Sequence, residues 1–259
     1  MCKRKYIYKE GELMSDILPK LKPFDAIFFK GEALLSQIIK TLCNTKIRSD
    51  KQIGFTHVGV VITSDIITHD NILPHKKYIF ESIINIKSSS SIRDINGKLF
   101  SGVQIRDLDD VVRYYDKSNK TQVAYGMLLN NPIDTQPISQ LKKKFNDFFV
   151  RYHMKSYDFN PYSLISSAYS CLRPCRDVVE AICNTEDFYF CSEIVALLYK
   201  HIGVYPNSVN EKDVLPIDIS YSELDRDGTP KIIKKLVLIT TPIHHIPKNK
   251  GNNVRKMKK

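Results

Sequence analysis

Cys191 is the residue of this sequence most clearly suited to a chemical role, because of its place in a helical pattern. The stretch from Phe188 to Val204 carries apolar residues at helical spacing, namely Ile194, Leu197, Leu198 and Ile202. Asp187 can cap the start of this predicted helix, and Gly203 suits the left-handed residue that ends one. Cys191 then falls in the first turn. There, unbonded N–H groups and the positive end of the helix dipole favour a thiolate, the nucleophilic form of cysteine.

Packing is the competing interpretation of Cys191. Free cysteine is among the most buried residue types, so a single cysteine is more often part of a core than of a site. A nucleophilic role becomes the better interpretation when a base lies within hydrogen-bond reach of the thiol and a third group orients that base. The rest of the chain must therefore supply a base and its partner.

A histidine and a glutamate on two predicted strands could supply these groups. Residues 55–62 form a β-branched, apolar run typical of a strand covered on both faces, and His57 is its one titratable member. Residues 77–84 predict a further strand, with Glu81 inside the apolar run. A buried carboxylate is costly unless it is paired, so Glu81 needs a partner, and the neighbouring strand offers His57. A lone histidine on such a strand is more often a satisfied core residue, and that alternative stays open.

The composition indicates one sizeable core and an uneven distribution of charge. Of 259 residues, 42% are hydrophobic, which is enough for one domain, placed here at residues 1–247. The net charge is +11, but residues 228–259 hold nine Lys/Arg and no Asp/Glu, so residues 1–227 carry a net of only +2. The basic excess belongs mainly to the last strand and the tail 248–259. We predict a disordered tail, with weak nucleic-acid or membrane-surface contact as the alternative.

The sequence predicts neither a membrane span nor a secretory signal. No apolar run reaches the roughly 18 residues that a transmembrane helix needs, and the start, Met1 to Tyr6, does not lead into an apolar stretch with a cleavage site. We therefore expect a cytoplasmic protein whose six cysteines, residues 2, 43, 171, 175, 183 and 191, are thiols. A zinc site at residues 171, 175 and 183 is the alternative, but the spacing matches paired zinc knuckles poorly and helical packing explains it better.

The remaining sequence predicts the elements that must position these groups. Short apolar runs bounded by turn residues predict strands at 24–29, 102–106, 122–129 and 231–241. Helical spacing predicts helices at 33–42 and 137–153, a helical turn at 108–115 and a helical segment at 161–183 that is interrupted near Pro174. A weak helical pattern near 13–17 should end at Pro19. In the helix at 137–153 the aromatic residues face the core and three consecutive lysines, residues 142–144, face solvent.

Three short motifs carry a family resemblance. They are residues 55–61 (FTHVGVV), 80–82 (FES) and 190–195 (FCSEIV), with supporting matches at 24–27 (FDAI), 157–159 (YDF) and 216–218 (PID). In this order they resemble the motifs of the circularly permuted papain-fold hydrolases, the NlpC-like branch that includes bacterial YiiX-type proteins and poxvirus and giant-virus relatives. The segment 161–187 and the basic tail depart from the compact pattern of that family.

The resemblance implies an α+β, permuted papain-like fold, in which a mainly antiparallel sheet carries the nucleophile helix. It implies Cys191 as nucleophile, His57 as general base, Glu81 as the orienting residue and Tyr157 as a residue near the thiol that could help hold an oxyanion. Peptide, isopeptide or lipid-derived amides and esters would be the substrates, attacked through an acyl-enzyme without metal or organic cofactor, and a viral relative could reside in the virion. Two other classes remain: a catalytically silent module that binds a lipid or peptide, and a nucleic-acid-binding protein acting through its tail.

Overall fold

The computed structural model of the chain describes residues 9–31, 55–84, 92–117, 122–158, 188–220 and 232–240. Several predictions fall outside these residues: the helices at 33–42 and 161–183, the cysteines other than Cys191, and the tail 248–259 with its proposed contacts. The elements below are numbered along the described residues.

Nine strands and five α-helices form the described part of the chain. The strands are β1 (Lys9–Leu13), β2 (Ala26–Lys30), β3 (His57–Thr63), β4 (Lys77–Ile83), β5 (Gly102–Asp107), β6 (Gln122–Leu128), β7 (Ser156–Tyr157), β8 (Phe188–Tyr189) and β9 (Ile233–Thr240). The helices are α1 (Met14–Ile17), α2 (Leu108–Lys117), α3 (Ile138–Tyr152), α4 (Cys191–His201) and α5 (Pro216–Ser220). Short 3-10 turns lie at Leu18–Lys20, Pro132–Asp134 and Glu211–Asp213.

All nine strands belong to one sheet in the order β1-β9-β6-β2-β3-β4-β5-β7-β8. The pairs β1–β9 and β7–β8 are parallel, and the other pairs are antiparallel. The fold is thus mixed, with a mostly antiparallel open sheet, which is compatible with the predicted α+β class. Strands predicted from apolar runs at 24–29, 55–62, 77–84, 102–106, 122–129 and 231–241 all occur, with ends shifted by one or two residues.

Each face of the central strands carries its own apolar cluster. In β3, Val58, Val60 and Ile62 pack into one cluster with residues of α3 and α4, whereas Val61 packs into the other with residues of α1 and α2. Alternate side chains of a strand point to opposite faces, so a strand covered on both sides must be apolar almost throughout. This double cover explains the apolar run of the β3 segment.

Helix α3 forms where the aromatic spacing predicted it. Its buried side chains are Leu141, Phe145, Phe148 and Phe149. Lys143 is exposed and Lys142 and Lys144 are partly exposed, as predicted for the opposite face. The helical turn predicted at 108–115 occurs as the full helix α2 (Leu108–Lys117). No helix among the described residues is long and apolar enough to cross a membrane.

The predicted helix beginning at Phe188 is wrong at its start. Phe188 and Tyr189 form strand β8 beside β7, and α4 begins at Cys191 with Phe190 at the N-cap position. Oε2 of Glu193 accepts a hydrogen bond from the Phe190 N–H at 3.4 Å, which partly satisfies the helix start. The predicted end is right, since Gly203 has a φ of 84° just beyond the helix. The predicted turn at 216–218 is the short helix α5.

Candidate active site

His57 and Glu81 form a close pair on neighbouring antiparallel strands. Nε2 of His57 lies 2.5 Å from Oε2 of Glu81, and the side chains are 12% and 0% exposed. Strands β3 and β4 pair with Val60 opposite Phe80, which puts the start of β3 beside the end of β4. Both side chains point to the same face, because each lies an odd number of residues from that paired position. The carboxylate that the sequence left without a partner therefore has one.

Gly59 makes room for Glu81. A Cβ added at Gly59 would lie 2.6 Å from Cγ1 and Cδ1 of Ile79 and 3.1 Å from Cβ of Glu81. Ile79 is fully buried and cannot swing out of the way. The absence of a side chain at Gly59 thus lets β4 place the carboxylate next to the His57 ring.

Arg106 on β5 holds the other oxygen of the Glu81 carboxylate. Nε of Arg106 donates to Oε1 of Glu81 at 2.8 Å, and Nη2 lies 2.6 Å from the same oxygen. Nη2 is close enough to Oε1 for an ion pair but does not have the angle of a hydrogen bond. The directional hydrogen bond to Glu81 is therefore the one that Nε donates. Arg106 is only 2% exposed. One oxygen of Glu81 thus faces a permanent cation and the other faces an imidazole.

These contacts keep Glu81 ionised in a buried position. Burial by itself raises the pKa of the Glu81 carboxyl, but the charge of Arg106, followed by the hydrogen bond and charge of His57, lowers it below its ordinary value. A carboxylate that remains an anion accepts the Nε2–H of His57 and so fixes the ring orientation and tautomer.

Cys191 completes the group from the start of α4. Cys191 raises the pKa of His57 through the charge of its thiolate form and through a side-chain hydrogen bond. Nε2 of His57 is engaged by Glu81, which leaves Nδ1 as the ring nitrogen available to bond the sulfur. Burial of the ring lowers the pKa of His57, but Cys191 and Glu81 together outweigh this effect and raise the pKa to about 9.

The start of α4 offers the Cys191 sulfur an electropositive environment. The first intrahelical bond runs from the Ile194 N–H to the Phe190 carbonyl at 3.1 Å. The N–H groups of Cys191 and Ser192 precede that bond and have no acceptor within the helix. They point along the positive end of the helix dipole, where an anion is stabilised.

Cys191 is also buried, with 2% of its surface exposed, and belongs to the cluster that contains α3 and α4. Burial alone is what a packing cysteine shows. The neighbouring His57–Glu81 pair is the feature that a packing cysteine does not need, since a base and a group that orients it are what a nucleophilic cysteine requires.

Two tyrosines lie in the electrostatic field of the thiol. Tyr157 on β7 is 3% exposed and packs edge-on against Phe190, with ring centroids 5.7 Å apart. Burial, followed by the charges of Cys191 and Asp158, raises the pKa of Tyr157 far above its ordinary value, so the hydroxyl stays protonated. Burial, followed by Glu81, likewise raises the pKa of Tyr115 on α2.

The structure brings together all four residues that the sequence singled out: Cys191, His57, Glu81 and Tyr157. Sequence reasoning missed Arg106 and Tyr115. Arg106 stood at the end of a predicted strand, and an arginine within an apolar strand is a signal that it pairs with a buried acid. Among the described residues, no three His, Cys, Asp or Glu side chains come together in a way that could hold a metal ion.

A scan of the chain against models of known protein families finds no match, and a search of curated proteins finds none either. The function of this site must therefore be argued from its geometry.

Proposed function

We propose that this chain is a thiol hydrolase that uses Cys191 as nucleophile, His57 as general base and acid, and Glu81 as the residue that orients His57. The observation that supports the proposal most strongly is the position of His57, between the Glu81 carboxylate at 2.5 Å and the Cys191 thiol. The nucleophile, the base and the acid that orients the base then have the same spatial order as in other thiol and serine hydrolases. We also propose a permuted papain-like, NlpC-like fold, on the strength of the motif order in the sequence.

The reaction would proceed in two steps. Nδ1 of His57 takes the thiol proton, and the Cys191 sulfur attacks the carbonyl carbon of an amide or ester. The tetrahedral oxyanion is stabilised by the N–H groups at the start of α4, a type of contact whose loss typically costs about 10²- to 10³-fold in rate. As the C–N or C–O bond breaks, the leaving group takes the proton from the His57 imidazolium, and an acyl-enzyme remains.

The second step releases the acyl group. His57, neutral again, takes a proton from water, which attacks the thioester carbon and expels the Cys191 thiolate. An amine or alcohol in place of water would make the same protein an acyltransferase. The candidate substrates are peptide, isopeptide and lipid-derived amides and esters.

The test is a panel of peptide, isopeptide and acyl-ester substrates, combined with labelling by an electrophilic thiol probe. We expect turnover that is lost in Cys191→Ala, and labelling of Cys191 that is lost in His57→Ala. His153→Ala is a matched control. His153 pairs with Asp94 at 3.0 Å, and the two side chains are 12% and 0% exposed, as in the His57–Glu81 pair, but His153 does not contact the thiol. Labelling that persists in His57→Ala, or turnover that survives Cys191→Ala, would overturn the proposal.

The burial of Cys191 favours a second candidate function, a catalytically silent module that binds a lipid or peptide. Cys191 is only 2% exposed, so little of the residue is in reach of a substrate in this conformation. This candidate predicts an unlabelled Cys191, no turnover of any substrate in the panel, and ligand binding that is unchanged in Cys191→Ala.

A further inference from the structure

A chain of alternating charges runs through three adjacent strands to the start of a helix. It consists of Arg106 on β5, Glu81 on β4, His57 on β3 and Cys191 on α4. The carboxylate of Glu81 divides its oxygens, with Oε1 to Arg106 and Oε2 to His57. Arg106 therefore contacts neither the thiol nor any atom that would react, but it holds the residue that orients the base.

The need for Arg106 follows from the burial of Glu81. Glu81 is 0% exposed, and a buried carboxylate without a compensating cation takes up a proton. Protonated His57 supplies such a cation, but His57 must become neutral once in each half of the proposed reaction. Arg106 stays charged throughout, since a guanidinium does not lose its proton in proteins.

We propose that Arg106 is a positioning residue of the thiol hydrolase: its guanidinium keeps the Glu81 carboxylate an aligned acceptor for Nε2 of His57 while that ring is neutral. This inference rests on the proposed function. Without Arg106, Glu81 is protonated whenever His57 gives up its proton, and a carboxylic acid no longer fixes the tautomer with Nδ1 directed at the sulfur.

Arginine suits this position better than lysine. The guanidinium directs its Nε–H at Oε1 from a fixed plane and leaves Oε2 to His57, whereas an ammonium group is a point charge on a flexible stem. Arg106→Lys should therefore keep the charge but lose part of the alignment, and its effect should lie between those of wild type and Arg106→Met.

The titratable and charged groups around His57 come from several elements. Cys191 on α4 and Glu81 on β4 act on the ring directly, Arg106 on β5 acts on Glu81, and Tyr115 on α2 and Tyr157 on β7 lie within the field of Glu81 or Cys191. Both tyrosines remain neutral, because the pKa of each is raised. A change at Arg106 therefore reaches His57 through the protonation of Glu81.

The direct test is an NMR titration of the histidine rings in the full-length protein, with the His57 signal assigned by its loss in His57→Gln. In Arg106→Met we expect His57 to titrate at least about one pH unit lower than in wild type, which corresponds to a tenfold change in its proton affinity. Arg113→Met is the matched control, because Arg113 pairs with Asp109 on the exposed surface of α2 and should leave His57 unchanged.

The kinetic test uses the same variants. In Arg106→Met we expect kcat to fall at least about tenfold with little change in KM, and the alkaline limb of the rate profile to move with the His57 titration. When Arg106→Met is added to Glu81→Gln, kcat should change by no more than about a further twofold, because the carboxylate through which Arg106 acts is already absent. This double variant also removes both buried charges, so it tests the inference if Arg106→Met alone does not fold.

The outcomes separate the two proposals. If wild type is active and His57 titrates in Arg106→Met at the same pH as in wild type or at a higher one, as loss of a cation beside a still ionised Glu81 would cause, or if the loss in kcat is the same in both Glu81 backgrounds, this inference fails. If His57 shifts as expected but Cys191 neither reacts with the probe nor supports turnover, the proposed function fails.

Discussion

Nε2 of His57 and Oε2 of Glu81 lie 2.5 Å apart across the antiparallel β3–β4 pair, although the two residues are far apart in the sequence. The pairing of the two strands alone brings them together. It also engages Nε2, so the backbone register of two neighbouring strands determines that Nδ1 is the ring nitrogen left for other contacts.

The alkaline limit of activity should report the imidazolium of His57. Because Cys191 and Glu81 raise the pKa of His57 to about 9, the ring can donate a proton to the leaving group up to that pH. We expect kcat/KM to fall as pH rises through about 9. In Glu81→Gln the fall should begin at lower pH, since a neutral amide stabilises the imidazolium less. The control His153→Gln should keep the wild-type limb, and a limb unmoved by Glu81→Gln would contradict this role for Glu81.

Folding stability should decrease over the same alkaline range. His57 titrates near 6.5 in an unfolded chain and near 9 in the folded one, so its contribution is complete below about pH 6.5 and lost as pH rises through 9. The free energy of unfolding should therefore fall by on the order of 3 kcal/mol between these values. Urea unfolding at a series of pH values measures this slope, which His57→Gln should flatten.

In the same experiment, His153 should change the free energy of unfolding with pH in the opposite direction to His57. Burial lowers the pKa of His153, although Asp94 partly offsets the effect, so its ring resists the proton that an unfolded chain accepts. The folded state therefore loses stability as pH falls below about 6.5, and His153→Gln should change the free energy of unfolding only in that acid range. An alkaline slope that changes in His153→Gln and not in His57→Gln would show that the stability is carried elsewhere.

A methyl group at Gly59 should impair both stability and catalysis. In Gly59→Ala the new Cβ would meet the buried Ile79 side chain at 2.6 Å and Glu81 at 3.1 Å, so β4 and the carboxylate must shift. We expect a loss of about 1–3 kcal/mol in unfolding free energy and a clear loss in kcat. Gly126→Ala is the matched control: its Cβ would meet Phe28 at 2.8 Å and Ile233 at 3.0 Å, away from Glu81. The control should lose stability and keep kcat. Equal kinetic losses in both variants would contradict the positioning role of Gly59.

The hydroxyl of Tyr157 should matter to the rate if it helps to hold the oxyanion. It stays protonated beside Cys191 and can therefore donate a hydrogen bond. Tyr157→Phe should lower kcat by about 10²-fold with little change in KM. Tyr199→Phe is the control, because the buried Tyr199 hydroxyl donates to the Phe24 carbonyl at 3.0 Å and should affect stability alone. A Tyr157→Phe variant with wild-type kcat would assign Tyr157 to packing.

The positions of the strands and of α3 could be predicted because their signals are local. Apolar runs bounded by turn residues, and aromatic residues at helical spacing, do not depend on what the segment later contacts. The pairing of His57 with Glu81 could also be predicted, since a carboxylate in an apolar run requires a partner and few were near.

Other features depend on distant parts of the chain. Phe188 and Tyr189 continue an apolar pattern that suits a helix, but they form β8 because β7 offers a strand to pair with more than thirty residues away. Arg106 was missed because it stands at the end of the predicted strand, between Ile105 and Asp107, and a local pattern does not say which strand or which buried acid its side chain meets. The insertion of β9 between β1 and β6 is a tertiary arrangement that no local pattern encodes.

That arrangement has a consequence for how the chain is made. Strand β9 fills the gap between β1 and β6, with Lys9 beside Val237 on one side and Tyr125 beside Val237 on the other. During synthesis the main-chain groups on one side of β6 therefore lack a strand to bind until β9, more than a hundred residues later in the sequence, has emerged from the ribosome, and β1 has no sheet to join until then. Pairings between segments so far apart in sequence form late, and an open strand in the meantime is a surface on which other chains can aggregate. Nascent chains halted before Ile233 should accordingly require a chaperone to remain in solution.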